Sequence, residues 1–161
     1  MWRPMTAADL PAVNDIAAAV HPSFPEDAAV FAERLALFPQ GCHVLVRDGA
    51  VTGYVLSHPW HGGDPPALNS LLQRLPPAPE TYYIHDLALL PAAQRGGFGV
   101  AVVRLLIEQA RRMGFASMSL VAVNESEDFW QRQGFRTAGA STQAKLQSYG
   151  ADARLMTLTL R

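Results

Sequence analysis

The chain has 161 residues, 49% of them hydrophobic, and a net charge of −1 from 13 basic and 14 acidic side chains scattered along it. That length suits one domain, here expected over residues 1–161, with a sizeable core. No basic block is present to neutralise a nucleic-acid backbone, no apolar run approaches the ~18 residues of a membrane span, and a lone Cys42 excludes an intrachain disulfide.

Met1-Trp2-Arg3-Pro4 carries no apolar leader, and with the single cysteine this points to a reducing cytoplasm. Cys42 reads as a small core residue on a strand. Trp2 to Met5 reads as a short strand, and Thr6 with Asp9 three residues on reads as a shortened capping box. Leu10, Val13, Ile16, Ala17 and Val20 recur at helical spacing, until His21-Pro22-Ser23-Phe24-Pro25 breaks the helix. A second helix is expected from Glu26 to about Leu37. A hairpin follows, His43–Arg47 and Val51–Leu56, turning at Asp48-Gly49. Residues 59–80 then carry six prolines and read as a loop insertion, with one short helix through Leu68, Leu71, Leu72 and Leu75.

Beyond the insertion the expected order is a strand (Tyr82–Leu90), a glycine turn, a helix (Gly97–Met113) stopped by Gly114, a strand (Phe115–Val123), a short helix (Glu125–Gln133), and strands from Gly134 and over Leu155–Leu160. This order argues for an α/β (α+β) fold: one mixed, mostly antiparallel sheet with helices on both faces.

The turn Gln94-Arg95-Gly96-Gly97-Phe98-Gly99 is the chemical signal. Glycines that close a strand and open a helix leave backbone N–H groups free at the positive end of the helix dipole, a place suited to phosphate. A dinucleotide fingerprint is excluded because Val102 stands where its third glycine belongs, and a P-loop because no lysine is present. The spacing Gln-x-x-Gly-x-Gly resembles the pyrophosphate loop of the GCN5-related N-acetyltransferases. The likeness continues in Ile84-His85-Asp86-Leu87-Ala88-Leu89, in Asn124, and in Phe129-Trp130-Gln131-Arg132-Gln133-Gly134-Phe135. Arg3-Pro4-Met5-Thr6 with Asp9-Leu10 adds a weaker match.

The resemblance implies acetyl-CoA as cosubstrate, in a cleft where a central strand pair splays apart. Leu87, Ala88 and Leu89 would lie along the pantetheine arm, the amides from Arg95 through Gly96, Gly97, Phe98 and Gly99 would hold the pyrophosphate with Gln94 at the loop's start, and Asn124 and Trp130 would border the arm. Asn124 reads equally well as a turn or cap residue.

Acyl transfer to an amine needs a base, a donor for the oxyanion and a route for the departing thiolate. Strand alternation places Tyr83, His85, Leu87 and Leu89 on one side, although a β-bulge would swap the pattern. His85 resembles a catalytic histidine of aralkylamine N-acetyltransferases, while Asp86 reads as an ammonium anchor or structural partner; the acid is open between Tyr149, Ser126, Tyr83 and departure of the thiolate without an enzymic acid. A backbone N–H near Leu87 is the oxyanion candidate. Many family members carry tyrosine where this chain has Trp130, whose indole cannot shuttle a proton. Phe24, Tyr54, Trp60 and His61 are expected to shape the acceptor pocket. His58 and His61 are too weakly spaced for a metal site, so no metal is expected.

The expected activity is direct acetyl transfer to a small primary amine, with no nucleic-acid or membrane partner and the exposed sheet edge available for a homodimer. The alternatives are a protein lysine or N-terminal amine as acceptor, or a non-catalytic acyl-CoA sensor.

Overall fold

The computed structural model describes residues 1–138 and 146–160. Among these residues seven strands form one sheet in the order β1-β2-β3-β4-β5-β7-β6. The strands are β1 (Trp2–Pro4), β2 (Cys42–Arg47), β3 (Ala50–Trp60), β4 (Thr81–Leu89), β5 (Ser117–Ala122), β6 (Arg136–Thr137) and β7 (Arg154–Thr159). The helices are α1 (Leu10–Val20), α2 (Ala28–Leu37), α3 (Phe98–Arg112) and α4 (Glu127–Arg132). Among the described residues only β4 and β5 pair in parallel; every other pairing is antiparallel. No described helix is long and apolar enough to cross a membrane.

The two faces are separately cored, as alternation along β3 requires. Tyr54 and Leu56 join Val13, Ile16 and Phe31 beneath α1 and α2. Val55 points the other way, into a cluster with Val102, Val103 and Leu106 of α3 and Trp130 of α4. Cys42 sits in the first cluster, and burial pushes its thiol up to about 12, so it is inert packing.

At the N-terminus the Asp9 carboxylate accepts from the Thr6 N–H at 2.8 Å and takes both Arg3 guanidinium nitrogens at 2.8 Å. Arg3 first, then Thr6, holds this carboxyl at about 2. Asp9→Ala should therefore cost about 1–2 kcal/mol, read as a lowered unfolding free energy in urea.

The hairpin turns where expected, with φ of 52° at Asp48 and 79° at Gly49. Two expectations need correction. β3 continues through Ser57, His58 and Pro59 to Trp60, so the insertion begins later. No helix forms in it, because Asn69 and Gln73 take φ of 57° and 68°, which helical continuation forbids. The segment is instead pinned by side chains. Glu33 accepts the N–H groups of Leu72 and Gln73 at 2.7 and 2.8 Å, Glu26 accepts that of Asn69 at 2.9 Å, and the Tyr149 hydroxyl donates to the Pro66 carbonyl at 2.9 Å.

Candidate active site

β4 and β5 pair only from Tyr82 to Ile84, opposite Met118 to Leu120, and then part. β4 continues to Leu89 along β3, so its other edge opens onto a cleft of about 390 Å³. Leu90 donates its N–H to the Thr52 carbonyl at 2.9 Å, which sets the phase of that antiparallel ladder. By the two-residue alternation, Asp86 and Ala88 turn their backbone groups toward β3, while Leu87 and Leu89 turn theirs into the cleft. Ala88 is therefore not available to a ligand there; its side chain packs with the α1–α2 cluster. Gln94 Nε2 donates to the Leu89 carbonyl at 3.0 Å, fixing the loop to the strand end.

The glycine loop closes the far end of the cleft. Gly97 caps α3 in the left-handed region, φ 75°, and a Cβ built on it meets nothing within 4 Å. The α3 amides thus face open space beside Gln94, Gly97, Gly99 and Val100, which line the cleft. Arg95, Gly96 and Phe98 belong to the same loop without lining the cavity. The Phe98 carbonyl accepts from the Trp2 indole at 2.9 Å, and the Arg47 guanidinium sits 4.9 Å from the centre of its ring. A pyrophosphate with a thiol-bearing arm fits these features: unclaimed amides at a helix start, an open glycine cradle and a free strand edge.

β4 carries a bulge. Leu56 faces Asp86 and Ser57 faces Ile84, so His85 is an extra residue with no partner across the ladder. The expected alternation fails there. His85 and Asp86 both turn to the α1–α2 side, where Glu26 and His21 meet them, whereas Leu87 packs against the α3 cluster.

His85 is nearly sealed. Its Nε2 lies 2.9 Å from Glu26 Oε1, and its buried Nδ1 has no partner. Burial would raise the Glu26 carboxyl, but His85, the Asn69 N–H and Arg34 outweigh it and hold it below its ordinary value. Asp86 accepts a hydrogen bond from the Tyr54 hydroxyl and lies 2.9 Å from His21 Nε2, a contact within ion-pair reach but poorly aligned for a hydrogen bond. His21 Nδ1 receives the Asn124 amide at 2.7 Å. Burial lowers the His21 pKa, yet Asp86, the Leu87 backbone and Glu26 leave it above its ordinary value.

A second, small cavity of about 30 Å³ continues from this corner, lined by His21, Glu26, His85 and Asp86 under Phe24, Leu68 and Tyr149. Sequence reasoning missed His21 and Glu26, which it used only to bound helices. It also misplaced others. Tyr83 is 1% exposed and borders neither cavity; burial, then Tyr149, pushes its phenol well up, so it cannot exchange protons with a ligand. Tyr54 is wholly buried and acts only beneath Asp86. Trp60 and His61 meet edge to face, 4.9 Å between ring centroids, at the opposite end of β3 and are not brought to the cleft. Trp130 lines the cleft, packed on Phe129 and Phe135. Asn124 lines it too, with its amide committed to His21. Among the described residues no cluster of three His, Cys, Asp or Glu side chains is placed to hold a metal ion.

Residues 10–135 match the acetyltransferase (GNAT) family. The fold is similar to the GphF GNAT-like decarboxylase in complex with isobutyryl-CoA, at 18% identity over 100% of both chains and a TM-score of 0.80. It is similar to the loading GNATL domain of CurA from Lyngbya majuscula, at 13% identity over 99% of this chain and 97% of that one, TM-score 0.79. It also resembles the ribosomal-protein-S18-alanine N-acetyltransferase from Escherichia coli, at 20% identity over 99% and 93%, TM-score 0.67. No curated protein matches the sequence.

Proposed function

Because the chain belongs to the acetyltransferase (GNAT) family, it is an acyl-CoA-dependent N-acyltransferase with acetyl-CoA as cosubstrate, and we propose that its acceptor is a small primary amine. The observation that carries this reading is the ~30 Å³ cavity beside the bulge, where the carboxylates of Glu26 and Asp86 converge. A volume of that order suits a group the size of a water or an ammonium head. Two acids and two imidazoles match the charge of an ammonium and its need to lose a proton. Phe24, Leu68 and Tyr149 cover it with apolar surface, and Leu68 comes from the pinned insertion, which narrows the entrance against a protein chain.

In this reading the acyl donor lies along Leu87 and Leu89 with its pyrophosphate at the α3 start. The amine attacks the thioester carbonyl, and the Leu87 N–H, unclaimed by β3, is aimed at the developing oxyanion. Trp130 supplies no proton to the thiolate.

The test is thiol release from saturating acetyl-CoA across aralkylamines, polyamines, amino acids, aminoglycosides and lysine peptides. Turnover is expected with small primary amines, and Glu26→Gln should raise their KM about tenfold or more by removing one counter-charge. Turnover confined to peptides would move the acceptor to the protein class. Binding of acetyl-CoA without turnover on any amine would remove the amine reading.

A further inference from the structure

We propose that His21, at the corner between α1 and α2, is the general base that takes the acceptor's proton, with Asp86 and Tyr54 as its positioning residues. The inference rests on the amine-acylating reading of the cleft. Three observations carry it.

The first is position. His21 borders both the large cleft and the small cavity beside it, so its ring stands where the thioester arm and the ammonium head would meet. The second is the proton arrangement. Nε2 is buried and faces Asp86, itself held by the Tyr54 hydroxyl, which favours the tautomer with hydrogen on Nε2 and the lone pair on Nδ1. The third is the occupant of that lone pair. The Asn124 amide donates to Nδ1 at 2.7 Å from the loop after β5, on the exposed side of the ring. An amine N–H arriving in the cleft would take the same place.

His85, the base expected from the sequence, borders the same two cavities, so position does not separate the two rings; the proton arrangement does. Its Nε2 is spent on Glu26, and its Nδ1 is enclosed without a partner. The charged groups acting on His21 are Asp86 of β4 and Glu26 of the α1–α2 corner, both favouring the imidazolium that proton uptake creates.

The step balances without further reactants. The ammonium gives one proton to Nδ1, which frees the lone pair that forms the C–N bond, and the second proton then on the nitrogen passes to water. The C–S bond breaks with its electron pair on the CoA sulfur. The imidazolium then returns the proton to that thiolate or to water.

The experiment measures kcat against pH for amine transfer, and for the slow acceptor-free hydrolysis of acetyl-CoA, in wild type, His21→Gln, His21→Ala, His85→Gln and Asp86→Asn. Acetyl-CoA affinity is measured alongside. His21→Gln should lose about 100- to 1,000-fold in kcat with acetyl-CoA affinity kept, and lose the acidic limb of the profile. Free imidazole should restore part of the rate to His21→Ala. Asp86→Asn should keep an acidic limb but move it to lower pH, as withdrawal of a positioning carboxylate requires. A wild-type limb and rate in His21→Gln, or a limb lost only in His85→Gln, would overturn the assignment. If no amine is acylated but hydrolysis still depends on His21, the base stands and the amine reading falls. If amines are acylated equally well without His21, the reverse holds.

Discussion

Gly97→Val is expected to weaken acetyl-CoA binding by at least about 100-fold, equivalent to about 2.7 kcal/mol, while the protein stays folded. Two costs combine. At φ 75° a β-branched residue is strained by roughly 1–3 kcal/mol, so the loop would re-form with its amides re-aimed. The side chain would also stand in the open space before α3, since a Cβ there meets nothing within 4 Å. That emptiness keeps the unliganded fold safe and makes the loss one of binding. Gly97→Asn separates the two costs, because asparagine tolerates the left-handed region yet still carries a side chain into the cradle. Titration calorimetry should give weak binding for both variants, with a lowered melting temperature only for valine. An unchanged Kd in Gly97→Val would place the pyrophosphate elsewhere.

The glycine turn that opens α3 was legible in the sequence because it depends on local rules. Glycine spacing between an apolar run and an amphipathic helix determines where backbone amides go, whatever the rest of the chain does. The order of elements along the chain was legible for the same reason: Asp48-Gly49 forces a hairpin, and Gly114 ends α3 where the pattern stops. The corner beside β4 was not, because it rests on one irregularity. The extra residue at His85 reverses every facing after it, and no propensity marks a bulge inside Ile84-His85-Asp86-Leu87. His21 and Glu26 were hidden differently. They flank a proline-rich corner, and their partners Asn124 and His85 are 103 and 59 residues away in the chain. Only the docking of α1 and α2 on β4 brings them together. Polar, titratable residues inside a helix-breaking corner were the signal available.

A last prediction concerns stability, and its sign follows from His58. The ring is 1% exposed, edge-on to Trp60 and tilted against Tyr83 with centroids 5.5 Å from each, with Nδ1 directed at the Pro59 carbonyl at 2.9 Å and Nε2 buried without a partner. Burial first, with His85 and Arg34 adding repulsion, brings its pKa down to about 3. Below its ordinary value near 6.5 the unfolded chain takes up a proton that the folded chain refuses, so acidification destabilises the fold progressively until pH approaches 3. Between pH 7.5 and 4.5 this contribution is about 2–3 kcal/mol. His43, lowered by burial, acts in the same direction, and His21, raised, acts against it; both persist in a His58 variant. His58→Phe keeps a ring against Trp60 and Tyr83 and removes the titration. Its unfolding free energy in urea should stay within about 1 kcal/mol of wild type at pH 7.5, since the lost Pro59 contact and the removed unpaired nitrogen offset each other. At pH 4.5 it should exceed wild type by about 2–3 kcal/mol. Parallel losses in the two proteins would mean that His58 is protonated in the folded state, with a water or a shifted side chain receiving its second proton.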